Sequence, residues 1–258
     1  MRSSRSVRSS DVEEAEMRRC RRAGPTSLLL VLAACRGEAT ATVQGPPLTI
    51  APPPASDSEA PPVEARFVET TAVATSIPLR ACHQLLVAVV NGTVTAGGQT
   101  LSPGDVLATT SGPVEVRGQG LAVVADAPVT PCNLPQRMVL ASDAPDLVFA
   151  GGAMHAHLDL DDRAVSPSVY LGRLSGSAGV PEHAHDKSWE ILCAFEAAGS
   201  FMFAGQPRRL GPRECVFLPP GTRHSWQPDP GSTLIAVQLY APPGPEQRFK
   251  KLAAEPTK

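Results

Sequence analysis

Two imidazoles separated by one residue, His183-Ala184-His185, are followed after four intervening residues by Glu190. Further along comes Pro219-Pro220-Gly221-Thr222-Arg223-His224. Neutral imidazole nitrogens and a carboxylate oxygen suit one divalent transition ion: Mn, Fe, Ni, Co, Cu or Zn. Side chains two apart lie on one face of a strand, which groups His183 with His185. The Pro-Gly turn bends the chain so that His224 opens the next strand. If the two segments face each other inside a barrel, three rings and one acid converge. Four protein ligands on a six-coordinate ion leave two positions for water, substrate or dioxygen, the open site that catalysis requires. A second pair, His155 and His157, has no matching carboxylate and third histidine. It belongs to the alternating run Met154-His-Ala-His-Leu-Asp-Leu-Asp. There Met154, Ala156, Leu158 and Leu160 share one face, and His155, His157, Asp159 and Asp161 form a polar one. No Ser/His/Asp nucleophile set, phosphate-cradling glycine loop or dinucleotide fingerprint is apparent.

The elements that must position these groups are β-strands. The chain has 258 residues, 42% of them apolar, enough for a buried core and against a wholly disordered protein. At ~100–150 residues per domain, one or two domains fit. Its 27 prolines and 21 glycines favour turn-rich β structure and a linker over a helix bundle. A net charge of −2 argues against a basic face that reads nucleic-acid phosphates. No apolar run approaches the ~20 residues that a membrane-spanning helix needs. From Leu85 to Ala127, short β-rich runs alternate with Asn91-Gly92, Gly97-Gly98 and Ser102-Pro103-Gly104-Asp105; the first two are hairpin signals. A second β-rich region begins at Val148, with strands expected at 168–174, 189–196, 200–204, 214–218, 223–227 and 233–240. Only 244–254 reads as a short helix.

The N-terminus reads as an address. Arg18, Arg19, Arg21 and Arg22 precede the apolar stretch Leu28–Ala34 and then Cys35, the layout of a secretion signal. Leu32-Ala33-Ala34-Cys35 resembles the lipobox of bacterial lipoproteins, which implies lipidation of Cys35. Asp11, Glu13, Glu14 and Glu16 are out of place in a basic leader, so Met17 is the expected start. Residues 1–35 are therefore expected to be a signal, and 36–66, with seven prolines, a disordered linker. The expected location is the periplasm or cell surface, with a lipid anchor as the only membrane contact. Beyond Cys20 and Cys35 remain Cys82, Cys132, Cys193 and Cys215. An even remainder in an oxidising compartment permits two disulfides. Cys82 with Cys132, flanking the first β region, and Cys193 with Cys215, within the second, is the expected pairing; four buried thiols are the alternative.

The histidine segments resemble the cupin family, whose motifs are G-x5-H-x-H-x3,4-E-x6-G and G-x5-P-x-G-x2-H-x3-N. His183-x-His185-x4-Glu190 matches the heart of the first, and Pro219-x-Gly221-x2-His224 the heart of the second. The likeness is strong over 170–242. Departures fall at turns and strand ends: Ser177, Ala197 (with Gly199 two residues on), Arg213 and Pro228 replace motif residues. The resemblance implies a jelly-roll barrel of two antiparallel sheets holding one ion through His183, His185, Glu190 and His224. Residues 67–135 weakly resemble a cupin core through Val94–Val106 but lack both motifs, and His83 is their only histidine. The expected fold class is all-β: two tandem cupin jelly-roll barrels, a degenerate metal-free one over 67–135 and a metal-binding one over 145–250.

Alternation from the four ligands places Trp226, Leu192, Phe201, Phe203, Gln238 and Tyr240 around the cavity, with Trp226 either a wall against a ligand or a plug. Cupins similar to this include dioxygenases, isomerases, epimerases, decarboxylases and oxalate-degrading enzymes. The tail Tyr240-Ala-Pro-Pro-Gly-Pro-Glu-Gln-Arg-Phe resembles the end of small bacterial cupins related to sugar-phosphate isomerases. Two functions compete: a metalloenzyme acting on a small molecule, and a non-catalytic metal-dependent binding module of the cell envelope. The family also makes a homodimer plausible.

Overall fold

The computed structural model describes residues 60–255. The expected signal, Cys20, the expected lipidation position Cys35 and most of the proline-rich stretch lie outside these residues.

Runs of β-branched and small residues build a first sheet of seven antiparallel strands. These are β1 (Glu64–Thr70), β2 (Thr75–Ile77), β3 (His83–Ala96), β4 (Gln99–Leu101), β5 (Val106–Thr109), β6 (Val114–Pro128) and β7 (Arg137–Val139). Their order is β1-β6-β3-β5-β7, with β2 also on β6 and β4 also on β3. β3 and β6 pair from His83↔Pro128 to Ala96↔Val116, with one irregularity between Val89 and Asn91. A bulge flips side-chain parity. Leu85, Val87 and Val89 before it, and Val94 and Ala96 after it, therefore enter the same interior core.

Two sequence expectations change here. Asn91-Gly92 is not a hairpin but the bend inside β3. A Cβ on Gly92 would lie 2.1 Å from the Gln119 carbonyl oxygen, so β6 passes too close for any side chain. Gly97-Gly98 is a hairpin loop, with Ala96 paired to Gln99 and both glycines at positive φ. β1 also begins inside the stretch expected as linker, at Glu64. The last prolines are Pro61 and Pro62; beyond them Val63 and Ala65 are buried and Glu64 is exposed, an alternation that a strand edge accepts.

The second unit contains β8 (Asp146–Phe149), β9 (Met154–Leu160), β10 (Tyr170–Gly176), β11 (Val180–His183), β12 (Trp189–Glu196), β13 (Gly199–Phe203), β14 (Gln206–Leu210), β15 (Glu214–Leu218), β16 (His224–Pro228) and β17 (Leu234–Ala241). A helix, α1 (Gln247–Ala254), follows. Six strands form one sheet, β15-β12-β17-β10-β9-β8, and four form another, β11-β16-β13-β14. The two antiparallel sheets enclose Met154, Leu174, Leu192, Phe201 and Trp226, the packing of a cupin-type jelly roll.

The outer face of the six-stranded sheet is apolar too. Leu171, Ile191, Val237 and Leu239 pack against Leu86, Ala88, Val123 and Ala125 of the first sheet. β12 thus stands between two cores. Trp189, Ile191 and Cys193 face the first sheet, while Glu190, Leu192 and Ala194 line or pack the barrel interior. Cys193 and Cys215 are direct cross-strand partners on β12 and β15 and are disulfide-bonded. Cys82 is bonded to Cys132.

The expected face of β9 holds only in part. Met154, Ala156 and Leu158 enter the barrel, but Leu160 joins the core shared with the first sheet. A register shift opposite Leu171/Arg173 inserts one residue, so the parity flips before Leu160.

Truncating Ile191 to Ala removes a fully buried side chain from the shared core. A loss of about 2–5 kcal/mol is expected by chemical denaturation. Metal content should be unchanged, because the neighbouring Glu190 faces the opposite side.

Candidate metal centre and its cavity

His183 ends β11 and His224 begins β16, and the two are cross-strand partners. The Pro219-Pro220-Gly221 turn precedes His224, with Gly221 at φ +77°, where glycine carries no Cβ penalty. The Gly221 N–H donates to the His185 carbonyl at 2.9 Å, which ties the turn of one motif to the backbone of the other. Contrary to the one-face reading, His185 is not on a strand. The chain leaves the sheet after His183, and His185 reaches the centre from the loop before β12. Glu190 arrives from the other sheet, as the second residue of β12.

The four side chains come together. One ligand atom from each of His183, His185, Glu190 and His224 lies within 4.8 Å of the others. Bonds of ~2.1 Å to one ion would place any two ligand atoms at most about 4.2 Å apart, so only a slight contraction is needed. The hydrogen bonds around the rings favour that use. His183 Nδ1 donates to the Pro181 carbonyl and His224 Nδ1 to the Thr222 carbonyl, both at 2.8 Å. A ring that spends its Nδ1 proton on a carbonyl presents a bare lone pair at Nε2. Both Nε2 atoms are buried without a hydrogen bond among the described residues; His224 Nε2 is 2.9 Å from Glu190 Oε2 but not aligned with it. His185 Nε2 donates to Glu190 Oε2 at 2.9 Å. Cation binding would release that proton. These donors fit a divalent transition ion.

Protonation favours a bare Nε2 on His183, whereas at His224 a cation would compete with a proton held by Glu190. Burial pushes the His183 ring down to about 4, with the Arg248 charge adding to it, so the ring is neutral at pH 7. Burial acts to lower His224 as well, but Glu190 outweighs it and raises the ring. Burial acts to raise the Glu190 carboxyl; His185 and His224 reverse this and hold it well below the ordinary carboxylate range. Glu190 is 4% exposed, and its other oxygen accepts 2.6 Å from Gln238 Nε2.

The centre opens into a cavity of about 1020 Å³. Small-molecule sites typically span ~300–1,000 Å³. Trp226, Leu192, Phe201 and Gln238 line it. Trp226 is a cavity wall, and Gly199 makes room for it: a Cβ there would meet the indole at 2.5 Å. That close approach accounts for a glycine two residues past Ala197.

Two expected lining residues sit elsewhere. Phe203 points inward but borders a separate small void with Arg208, Leu210 and Val216, two residues along β13 from Phe201. Tyr240 is buried under the His185 ring, edge-on with centroids 5.0 Å apart, because the His185 loop covers it. Sequence reasoning missed the cap. Phe149, the Ala150–Gly152 turn and α1 residues Arg248, Phe249 and Leu252 all border the cavity. Only the aromatic ring in the short amphipathic tail hinted at it. His155 and His157 lie beside Asp146, at 3.2 and 3.6 Å, and do not border the cavity.

Residues 169–244 match the family model of AraC-like ligand-binding domains. Fold and centre together place the second unit in the class of cupin-type jelly rolls. No curated protein sequence matches the chain. Among solved structures, the fold is similar to that of an IolB-like protein from Salmonella typhimurium LT2. Identity there is 14% and the TM-score 0.58, over 71% of this chain and 84% of the other. A glyoxylate-induced protein from Pseudomonas aeruginosa is 12% identical with a TM-score of 0.54, over 69% and 73%. Vicilin from tomato, Solanum lycopersicum, is 11% identical with a TM-score of 0.53, over 71% and 76%.

Replacing Gln238 by Leu frees one oxygen of Glu190 without removing a ligand. Loss of such a supporting hydrogen bond typically costs 10–100-fold in metal affinity. A decrease of that order is expected in chelator competition, together with a loss of about 1–3 kcal/mol of stability from the unanswered carboxylate oxygen.

Proposed function

We propose that the chain is a metal-dependent small-molecule protein, in which His183, His185, Glu190 and His224 hold one Mn, Fe, Co, Ni, Cu or Zn ion at the end of the barrel cavity. The observation that carries this reading is the convergence of the four side chains, with the buried Nε2 atoms of His183 and His224 unpartnered and each ring oriented by a backbone carbonyl. Four protein ligands leave two positions of a six-coordinate ion toward the cavity. Such an ion polarises a bound oxygen or, if redox-active, supports dioxygen chemistry. This chain contributes the apolar walls that exclude water and a carboxylate, Glu190, held ionised beside the ion. A metalloenzyme of the dioxygenase or isomerase type is the reading we favour. A capture module without turnover is the second, favoured by the match to AraC-like ligand-binding domains.

The proposal extends to the whole chain. The first sheet is read as a degenerate, metal-free barrel whose role is to cover the outer face of β12 and its neighbours. His83 there bonds Asp126 at 2.7 Å. Export with a lipid anchor at Cys35 follows from the leader, and two disulfides suit an oxidising compartment. A homodimer remains part of this reading.

Elemental analysis of protein purified from the cell envelope tests the centre. Wild type should carry close to one transition-metal equivalent and His224→Ala much less. Under about a tenth of an equivalent in wild type would defeat both metal readings. Turnover of a substrate panel, in air and under nitrogen, then separates enzyme from capture module.

A further inference from the structure

α1 carries a charge that the metal centre does not explain. Arg248 borders the cavity, and its Nε is buried with no hydrogen-bond partner among the described residues. Its guanidinium forms no ion pair among them either and lies over the Phe249 ring, 5.4 Å from Cζ to centroid. A buried donor left unsatisfied is costly, and a charged one more so. The helix holds it there firmly. Glu246, fully buried, accepts from Arg163 at 2.8 Å and from the Gly244 N–H at 2.6 Å. Gln247 and Lys250 bond Asp161, and Phe249 stacks on Phe149 with centroids 5.8 Å apart. These contacts fix the helix backbone, and with it the point from which the half-buried Arg248 side chain reaches the cavity.

A second residue bordering the cavity also carries an unsatisfied donor. Trp226 is 3% exposed, borders the cavity, and its Nε1–H has no acceptor among the described residues. Two buried donors without protein acceptors call for a ligand that brings oxygen acceptors. The walls between them and the metal centre are apolar: Leu174, Leu192 and Phe201.

Resting on the reading of this cavity as a ligand site, we propose that its ligand is a small organic acid whose carboxylate pairs with Arg248, its carbon skeleton lying along the apolar wall toward His183 and His224. A planar guanidinium matches a carboxylate through two parallel N–H···O bonds. A phosphate is the poorer match, because only one guanidinium borders the cavity. Lys251 and Glu255 at the rim are both exposed and opposite in sign, so they add little net field.

Calorimetric titration of the full-length protein tests the assignment, with benzoate and butyrate as probes and benzamide, butyramide and inorganic phosphate as controls. Wild type should bind one or both acids at least tenfold more tightly than the matching amides. Arg248→Met should weaken acid binding at least tenfold and leave amide binding unchanged, while Arg248→Lys restores part of the loss. Equal acid affinity in wild type and Arg248→Met, equal binding of acid and amide, no acid binding, or binding of phosphate alone would each overturn the proposal. Metal content measured on the same samples judges the metal reading separately. Metal-free wild type with Arg248-dependent benzoate binding would sink that reading and leave this one standing. Full metal loading with Arg248-independent binding would do the reverse.

Discussion

An ionised carboxylate buried at 4% exposure is the constraint around which the second unit is organised. Glu190 in an apolar barrel would be neutralised by desolvation if nothing answered its charge. The structure answers it twice over, with His185 and Gln238 as hydrogen-bond donors and His224 at 2.9 Å. Each partner comes from a different piece of chain: the β11–β12 loop, β17 and the start of β16. Satisfying one acid therefore pins three segments from two sheets to a common point. A buried polar cluster of this kind is worth its desolvation only when every member is held, which is why rings anchored through their far nitrogens to backbone carbonyls matter.

That precision needs a rigid strand beneath it, and β12 has one by being covered on both faces. Its inward residues meet the barrel interior; its outward residues meet the first sheet. A strand buried on both sides cannot slip by one residue without exchanging an acid for Ile191 or Trp189, which would place a charge in the shared core. The disulfide from Cys193 to Cys215 locks the same register against β15. The first sheet thus contributes to the metal centre without touching it.

The cavity is bordered both by the histidine and glutamate cluster and by a helix held by Glu246–Arg163 and by Asp161. Phe201 stacks over His224 at 6.0 Å between centroids, so the apolar lining begins at the ligand rings themselves. A molecule large enough to reach from Arg248 to the rings would displace water along the whole path, where electrostatic interactions are strongest. The first sheet offers no comparable cluster among the described residues.

The four clustered residues were legible through the H-x-H-x4-E and P-x-G-x2-H motifs, although His185 reaches the cluster from a loop and not by strand alternation; the all-β class and most strands of the second unit were legible because alternation and Pro-Gly turns are local rules. The short tail helix was legible for the same reason. Other features required the fold. Asn91-Gly92 looks like a hairpin locally, yet β6 passes across it and makes it a bend. Leu160 changes core because a bulge in its neighbour's pairing shifts parity, which no count of alternating residues can register. Phe203 and Tyr240 satisfy the inward pattern but are shut off from the cavity by their surroundings. Arg248 carried no local mark at all. Alternation says which face a side chain takes; only long-range packing says what lies opposite that face, and a helix that closes over a barrel is placed entirely by such contacts.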